Sequence, residues 1–270
     1  MNIKQFCEGI KLDPAARRQL EEFTISEEEY LGYKQHFYMD HAAFFESVKQ
    51  TAGYRKLLLY LFVRFAVDVY EKYKLQQIDD AIYYDTFSDF QNWCMQCKAD
   101  TGEYGIEEYN WLKEHVQLRL FRLGRLQFQP LAFDRELIVN DYKIRVNQIV
   151  LNVHIPAGDP LLAEQVERSF EMAKAFFRGI PPVFICHSWL LEPELGEILP
   201  PESNILRFQQ HFHLYKIDKN AKQAEERIFR KTCDNPHDYE AVTRLQRSAK
   251  AFLIAGGKLG IGFGIKVIEN

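Results

Sequence analysis

The chain has 270 residues, 47% of them hydrophobic and 27% charged, which is an ordinary globular composition with room for one large domain or two modest ones. A formal net charge of -4 excludes the basic surplus of a nucleic-acid binder. No apolar stretch reaches the ~20 residues of a membrane helix; residues 57–70 come closest, but Arg64 and Asp68 interrupt them. Residues 1–13 lack the apolar stretch of a signal peptide, and five cysteines, an odd number, fit reduced thiols. Both features point to the cytoplasm, with neither nucleic acid nor membrane as partner.

Residues 1–115 carry a helical pattern. "DPAARRQLEEFT" begins with an Asp and a Pro placed for an N-cap and first turn. "SEEEYLGYKQHFY" has Ser26 and Glu29 in capping-box spacing. Residues 44–73 hold one or two strongly apolar helices, broken near Gly53. Residues 85–102 read as a helix capped by Asp85 or Thr86 and stopped at Gly102, and "GIEEYNWLKEHV" as another short helix. After residue 117 the period changes. "QLRLFRLGRLQFQP" alternates as a strand does. "ELIVNDYKI" predicts a hairpin with Asn140-Asp141 in its turn, and "QIVLNVHIP" a strand stopped by Pro156. Asp159 and Pro160 then suit the cap and first position of an amphipathic helix. "PVFICHSW" is the next strand, "LEPELGEIL" a short helix and "NILRFQQHFHLYKI" a long strand. "AKQAEERIF" and "DYEAVTRLQRSAKAFLIAGG" are helices, and "LGIGFGIKVI" the closing strand.

The spacing therefore predicts a helical domain over 1–115 and a mixed domain over 116–270, with no Gly/Ser/Pro linker between them. The strand–helix–strand unit over 148–187 predicts two parallel strands joined by a crossover. Ligands in such sheets sit beyond the carboxyl ends of the strands, and those ends carry "HIPAGDP" and "CHSW".

Several segments in order carry a resemblance: "LFRLGRLQFQP", "NVHIPAGDPL", "FICHSWLLEPEL", "LPPESNILRFQQHF" and "TRLQRSAKAFLIAGGKLGIGFG". Together with "DTFSDFQNWCMQ" and "WLKEHVQLRLFRLGRLQF", they resemble a bacterial group of acyltransferase domain-containing proteins. That group joins a helical N-acyltransferase N-terminal domain to a GNAT-like C-terminal domain. The resemblance implies an α+β fold, with the helical domain packed on a GNAT-like mixed sheet flanked by helices. It also implies an N-acyltransferase that takes its acyl group from acetyl-CoA or another acyl-CoA. The pantetheine arm would lie between residues 149–155 and 183–187, and the pyrophosphate on the helix after the 156–162 loop, with Asn152, Ile155, Gly158 and Leu161 as cofactor-binding residues. The loop departs from the GNAT pattern of Arg or Gln followed by Gly-x-Gly or Gly-x-Ala. "IPAGDPLL" has one glycine and no basic residue, Asp159 would repel a phosphate, and Pro160 removes an N–H.

His187 and His154, near the ends of neighbouring strands, are candidate bases for an attacking amine, and Ser188 could polarise or accept. Side chains alternate along a strand, so Cys186 and Ser188 share one face and His187 takes the other. Without a catalytic role, Cys186 would pack as a small hydrophobe and Ser188 would cap a helix from Leu190. Cys94 and Cys97 lie inside a predicted helix with no strand before them, so they read as buried thiols rather than a redox or zinc pair. His211 and His213 would share a strand face, but no third ligand is indicated and no metal is expected. Residues 256–264 read as a helix stop followed by a strand, not a phosphate loop. Arg122 and Arg125 would lie on opposite faces of their strand. Three functions stay open: an acyl-CoA-dependent N-acyltransferase acting on a small amine or peptide amine by direct attack on the thioester, a non-catalytic ligand-binding protein of the same fold, and a hydrolase or transferase using Cys186.

Overall fold

The computed structural model describes residues 1–139 and 142–268. It divides into two compact units, one comprising Met1–Leu123 with Pro156–Gly158 and the other Gly124–Ile155 with the chain from Asp159 onward.

The first unit is helical: α1 (Ile3–Gly9), α2 (Pro14–Glu21), α3 (Glu27–Met39), α4 (His41–Lys49), α5 (Tyr54–Leu75), α6 (Asp80–Phe87), α7 (Asp89–Thr101) and α8 (Tyr109–Val116), followed by the short strand β1 (Phe121–Leu123). The caps expected from the sequence are present. Asp13 accepts from Ala15 N–H ahead of Pro14, and Ser26 and Glu29 close a capping box. The apolar run does break near Gly53: α4 ends at Lys49, and Gly53, at φ +71°, is the N-cap of α5. That helix is the unit's axis: Leu58, Leu61, Phe62 and Phe65 are fully buried, and α1, α3, α4, α6 and α8 pack on it. Each such side chain contributes roughly 1.5–3 kcal/mol of burial. The single helix expected over 85–102 is instead two, α6 and α7, because Ser88 turns its hydroxyl onto the Asp85 carbonyl and the chain restarts at Asp89. Cys94 and Cys97 are buried inside α7.

The second unit contains β2 (Leu126–Ala132), β3 (Leu137–Val139), β4 (Tyr142–Ile144), β5 (Ile149–His154), α9 (Ala163–Phe176), β6 (Val183–Ser188), α10 (Leu195–Ile198), α11 (Asn204–Gln209), β7 (His213–Asp218), α12 (Gln223–Phe229), α13 (Arg244–Ile254) and β8 (Ile261–Val267). Within this unit the main sheet runs β2-β5-β6-β8-β7. β5 and β6 are parallel, as the crossover reading predicts, and β2–β5, β6–β8 and β7–β8 are antiparallel. One sheet face is covered by α9, where Phe170 meets Phe128, Phe184 and Phe212. The other is covered in part by the β3–β4 ribbon, with Ile144 and Phe133 against Val150, Val183, Ile185 and Ile265. The expected Asn140-Asp141 turn lies outside the described residues. A third cluster joins α10, α12 and α13 through Leu195, Ala224, Ile228, Tyr239, Ala249 and Leu253.

Several expectations are corrected. The alternating stretch over 117–130 is not one strand: Gly124, at φ +72°, and Arg125 turn the chain between β1 and β2. The long strand expected from Asn204 begins only at His213. Ser203 caps Ile205 N–H and starts α11, in which Phe208 is buried; Ile205, Phe208 and Phe212 fit a helical period, while Leu206, Phe208 and Phe212 fit an alternating one. His211 therefore precedes the strand and shares no face with His213. The last helix starts at Arg244, where Thr243 and Gln246 form a capping box, not near Asp238. α9 starts at Ala163, not at Pro160, for a reason given below.

Candidate active site

β5 and β6 position the predicted residues. Their paired register covers Leu151–Phe184 and Asn152–Ile185 and then ends. Beyond it β5 stays paired with β2 as far as His154, and β6 with β8 as far as Ser188. Each strand thus keeps its outer neighbour past the point where the pairing between the two stops. Parallel partners share a face, so His154 and His187, two residues beyond Asn152 and Ile185, point to the same side of the sheet.

The two imidazoles enter separate networks. His154 Nε2 lies 3.0 Å from Gln129 Oε1 and 3.1 Å from Asn152 Nδ2. The first contact needs a protonated Nε2 and the second a bare one, so one tautomer serves one partner. His187 Nε2 lies 2.9 Å from the hydroxyl of Tyr215. In the sequence Tyr215 is one of 14 tyrosines. The structure singles it out through a register shift: β7 pairs with β8 at Leu214 and again at Lys216, leaving Tyr215 as the extra residue of a bulge. Bulges re-aim side chains, and this one directs the phenol to His187.

Electrostatics separates the pair into two roles. His187 keeps a solvent-accessible edge, but the Phe263 ring lies tilted against it, with centroids 4.5 Å apart. This desolvation, with Arg135 and then Lys216 acting against Asp134, lowers the imidazole pKa. Burial pushes the Tyr215 phenol up to about 12. At neutral pH a neutral imidazole therefore stands beside a protonated phenol. Arg135 and Asp134 pair with each other through Nε–Oδ1 at 2.7 Å and NH2–Oδ2 at 2.8 Å, on the segment that follows β2. Nothing in the sequence marked these two charges as neighbours of His187.

Ser188 lies on the opposite face. It is buried, and its Oγ accepts from Leu190 N–H to cap the short 3-10 turn Trp189–Leu191. Cys186 is also fully buried on that face, and burial raises its thiol pKa well above the ordinary range. The adjacent Cys-His-Ser residues do not converge.

The 156–162 loop is held by a residue from outside it. Arg125, in the β1–β2 turn, is buried and donates from Nε to the carbonyls of Asp159, at 2.8 Å, and Pro160, at 3.3 Å. Those carbonyls are turned to the guanidinium and do not open a helix, so α9 starts at Ala163. Its N-cap, Leu162, offers no side-chain acceptor to the first-turn N–H groups. Glu164 stands in that turn. Gly158 is exposed with φ +113°, Leu161 is buried and Ile155 half-buried. Leu-Gly-Arg-Leu, a glycine interrupting an alternating stretch, was the signal for the turn, but nothing in it named the loop as the partner of Arg125. Among the described residues no cluster of three or more His, Cys, Asp or Glu could hold a metal ion, and no helix is long and apolar enough to cross a membrane.

Comparison with known proteins bears on this geometry. No curated protein matches the chain. Among solved structures, an acyltransferase in complex with decanoyl-CoA and teicoplanin shares 20% identity over 98% of this chain and 87% of its own, with a TM-score of 0.79. An acyltransferase in complex with CoA and 10C-teicoplanin gives the same values, and one in complex with decanoyl-CoA aligns at a TM-score of 0.67 and 23% identity over 82% of this chain and 68% of its own. At these identities the likeness is one of fold. The model of the N-acyltransferase N-terminal domain matches residues 1–118. Because the model of the GNAT-like C-terminal domain follows it over residues 120–266, more than half of the sequence, the chain belongs to the family that joins these two domains.

Proposed function

We propose that the protein is an acyl-CoA-dependent N-acyltransferase acting on a small amine or peptide amine, with residues 116–270 carrying the chemistry and residues 1–115 forming a separate helical domain. The observation that carries this reading is the end of the β5–β6 register with the His187–Tyr215 pair beyond it. A strand pair that stops bonding leaves backbone groups for an amide-rich pantetheine arm and for a thioester oxygen. The bound decanoyl-CoA and CoA of the structural neighbours support the same donor class.

In this reading the amine lone pair attacks the thioester carbon while neutral His187 accepts the amine proton. The C–N bond forms and the C–S bond breaks. Tyr215 gives its proton to the leaving thiolate, and the proton on His187 passes to the phenolate through their hydrogen bond. Amide and free CoA thiol leave with both side chains again neutral, and tautomer exchange of the His187 ring completes the cycle. His154, tied to Gln129 and Asn152, acts as a polar contact for the acceptor. Asn152, Ile155, Gly158 and Leu161 remain the proposed cofactor contacts, with the α9 N-terminus as the seat of the pyrophosphate. No such role is proposed for Ser188, whose hydroxyl is engaged in its cap.

The loop favours one competing reading, a ligand-binding protein without catalysis, because Asp159 and Glu164 oppose a phosphate. Incubation with radiolabelled acyl-CoAs and a panel of amines separates the two. Label in an amide product supports transfer, acyl-CoA binding without transfer supports the competing reading, and neither overturns both.

A further inference from the structure

The helical unit carries a cleft of about 490 Å³, within the ~300–1,000 Å³ range of small-molecule sites. Its walls follow helical periodicity. Ile3, Lys4, Cys7 and Glu8 form one stripe of α1, and Pro14, Arg17, Arg18 and Glu21 form one face of α2. Leu20, Phe23 and Tyr60 add apolar surface, with the Phe23 and Tyr60 rings 5.2 Å apart. The cleft lies wholly within this unit, and none of its residues enters the reaction proposed above.

Arg17 gives the cleft a chemical preference. Its Nε is fully buried and has no hydrogen-bond partner among the described residues. Glu8 and Glu21 border the same cleft, but neither forms an ion pair with Arg17. Three cations, Lys4, Arg17 and Arg18, thus stand against these two carboxylates. Cys7 is not a nucleophile here, because burial pushes its thiol up to about 12. The chemistry on offer is non-covalent: a planar fork of donors that suits a carboxylate, beside aliphatic and aromatic walls.

We propose that this cleft binds a small amphiphilic carboxylate, its head on the Arg17 guanidinium and its apolar chain against Ile3, Leu20, Phe23 and Tyr60. The proposal does not rest on the transfer reaction. It is tested on the full chain by calorimetric titration with sodium decanoate below its micelle concentration. One saturable site is expected, weakened about tenfold or more in Arg17→Gln, in keeping with the loss of a charge-assisted hydrogen bond. His187→Ala should bind as the wild type does. Decyltrimethylammonium, which inverts the head charge, should not bind.

Unchanged binding in Arg17→Gln, equal binding of the quaternary amine, or loss of binding in His187→Ala but not in Arg17→Gln would each overturn the assignment. Circular dichroism and thermal melting report whether Arg17→Gln is folded. If it is not, photo-crosslinking of the wild type with a diazirine analogue of decanoate decides. Adducts on peptides within residues 1–24 or at Tyr60 support the cleft, and adducts confined elsewhere, or none, refute it.

Discussion

Replacing His187 by Gln is the sharpest test of the proposed chemistry. Gln keeps a polar group of similar reach beside Tyr215 but cannot accept a proton. A positioned general base contributes typically 10²–10⁴-fold, so kcat/KM should fall by that factor, about 2.7–5.5 kcal/mol of transition-state stabilisation. Tyr215→Phe deletes the hydroxyl that stands 2.9 Å from Nε2. Losing one such bond costs about 1 kcal/mol, near fivefold, and more if the phenol also protonates the leaving thiolate. The pH profile supplies the second readout. Only neutral His187 can act as base, so kcat/KM, expressed per unprotonated amine, should be flat at neutral pH and fall as pH drops through the imidazole pKa. Desolvation and Arg135 place that pKa below the ordinary value. Arg135→Gln removes a charge that lowers it, so the acid limb should move to higher pH, and Asp134→Asn removes one that raises it, so the limb should move lower. The assay is initial-rate kinetics with acyl-CoA and amine across pH 5–8, with NMR titration of the His187 ring as an independent reading. An acid limb unchanged in His187→Gln, or a rate within threefold of wild type, would refute the role.

Three further predictions address the scaffold. Cys186→Ala should leave acyl transfer within about twofold, since the thiol is fully buried on the face opposite His187; abolished activity in a folded variant would revive the cysteine mechanism. Gly124→Ala should lower the urea midpoint by the equivalent of about 2–3 kcal/mol. An alanine at φ +72° is strained by about 1 kcal/mol, and its Cβ would sit 2.8 Å from the Ser169 Oγ that accepts from Arg125 N–H. Arg125→Met leaves the Asp159 and Pro160 carbonyls without their guanidinium donor. The KM for acyl-CoA should rise about tenfold with kcat within about threefold, measured by the same kinetics.

Much of the scaffold could be read from the sequence because its signals are local. Capping at Asp13 and Ser26, the break at Gly53 and the stop at Gly102 depend on residues three or four positions apart, and the structure uses all of them. The opposite faces of Cys186 and His187 followed from alternation alone. Where two periods fit a short apolar run, as from Asn204, the pattern could not choose, and the Ser203 cap decided for a helix. What could not be read was every contact made at long range. The Tyr215 hydroxyl reaches His187 across 28 positions and the Arg125 guanidinium reaches Asp159 across 34. Neither has a local signature beyond a bulge and a glycine.

The same distinction bears on the loop that departs from the GNAT pattern. A phosphate seat needs N–H groups that no side chain has already taken, at a helix end held in place. A glycine-rich loop supplies this locally, through its own backbone freedom. Here the helix end is fixed from a distance. Arg125 ties down the carbonyls before α9, Ser169 ties α9 to the Arg125 N–H, and Leu162 leaves the first turn without a side-chain cap. The basic residue missing from "IPAGDPLL" is present in space, 31 positions upstream of Pro156, but it points at the loop's own carbonyls. Arg125 therefore acts on the loop's geometry, and in the proposed reading the attraction for a phosphate would come from the α9 N–H groups against Glu164. Removing that repulsion with Glu164→Gln should tighten acyl-CoA and free CoA alike while leaving dephospho-acyl fragments unaffected, as read by calorimetry. Equal gains for fragments that lack the phosphates would place the pyrophosphate elsewhere.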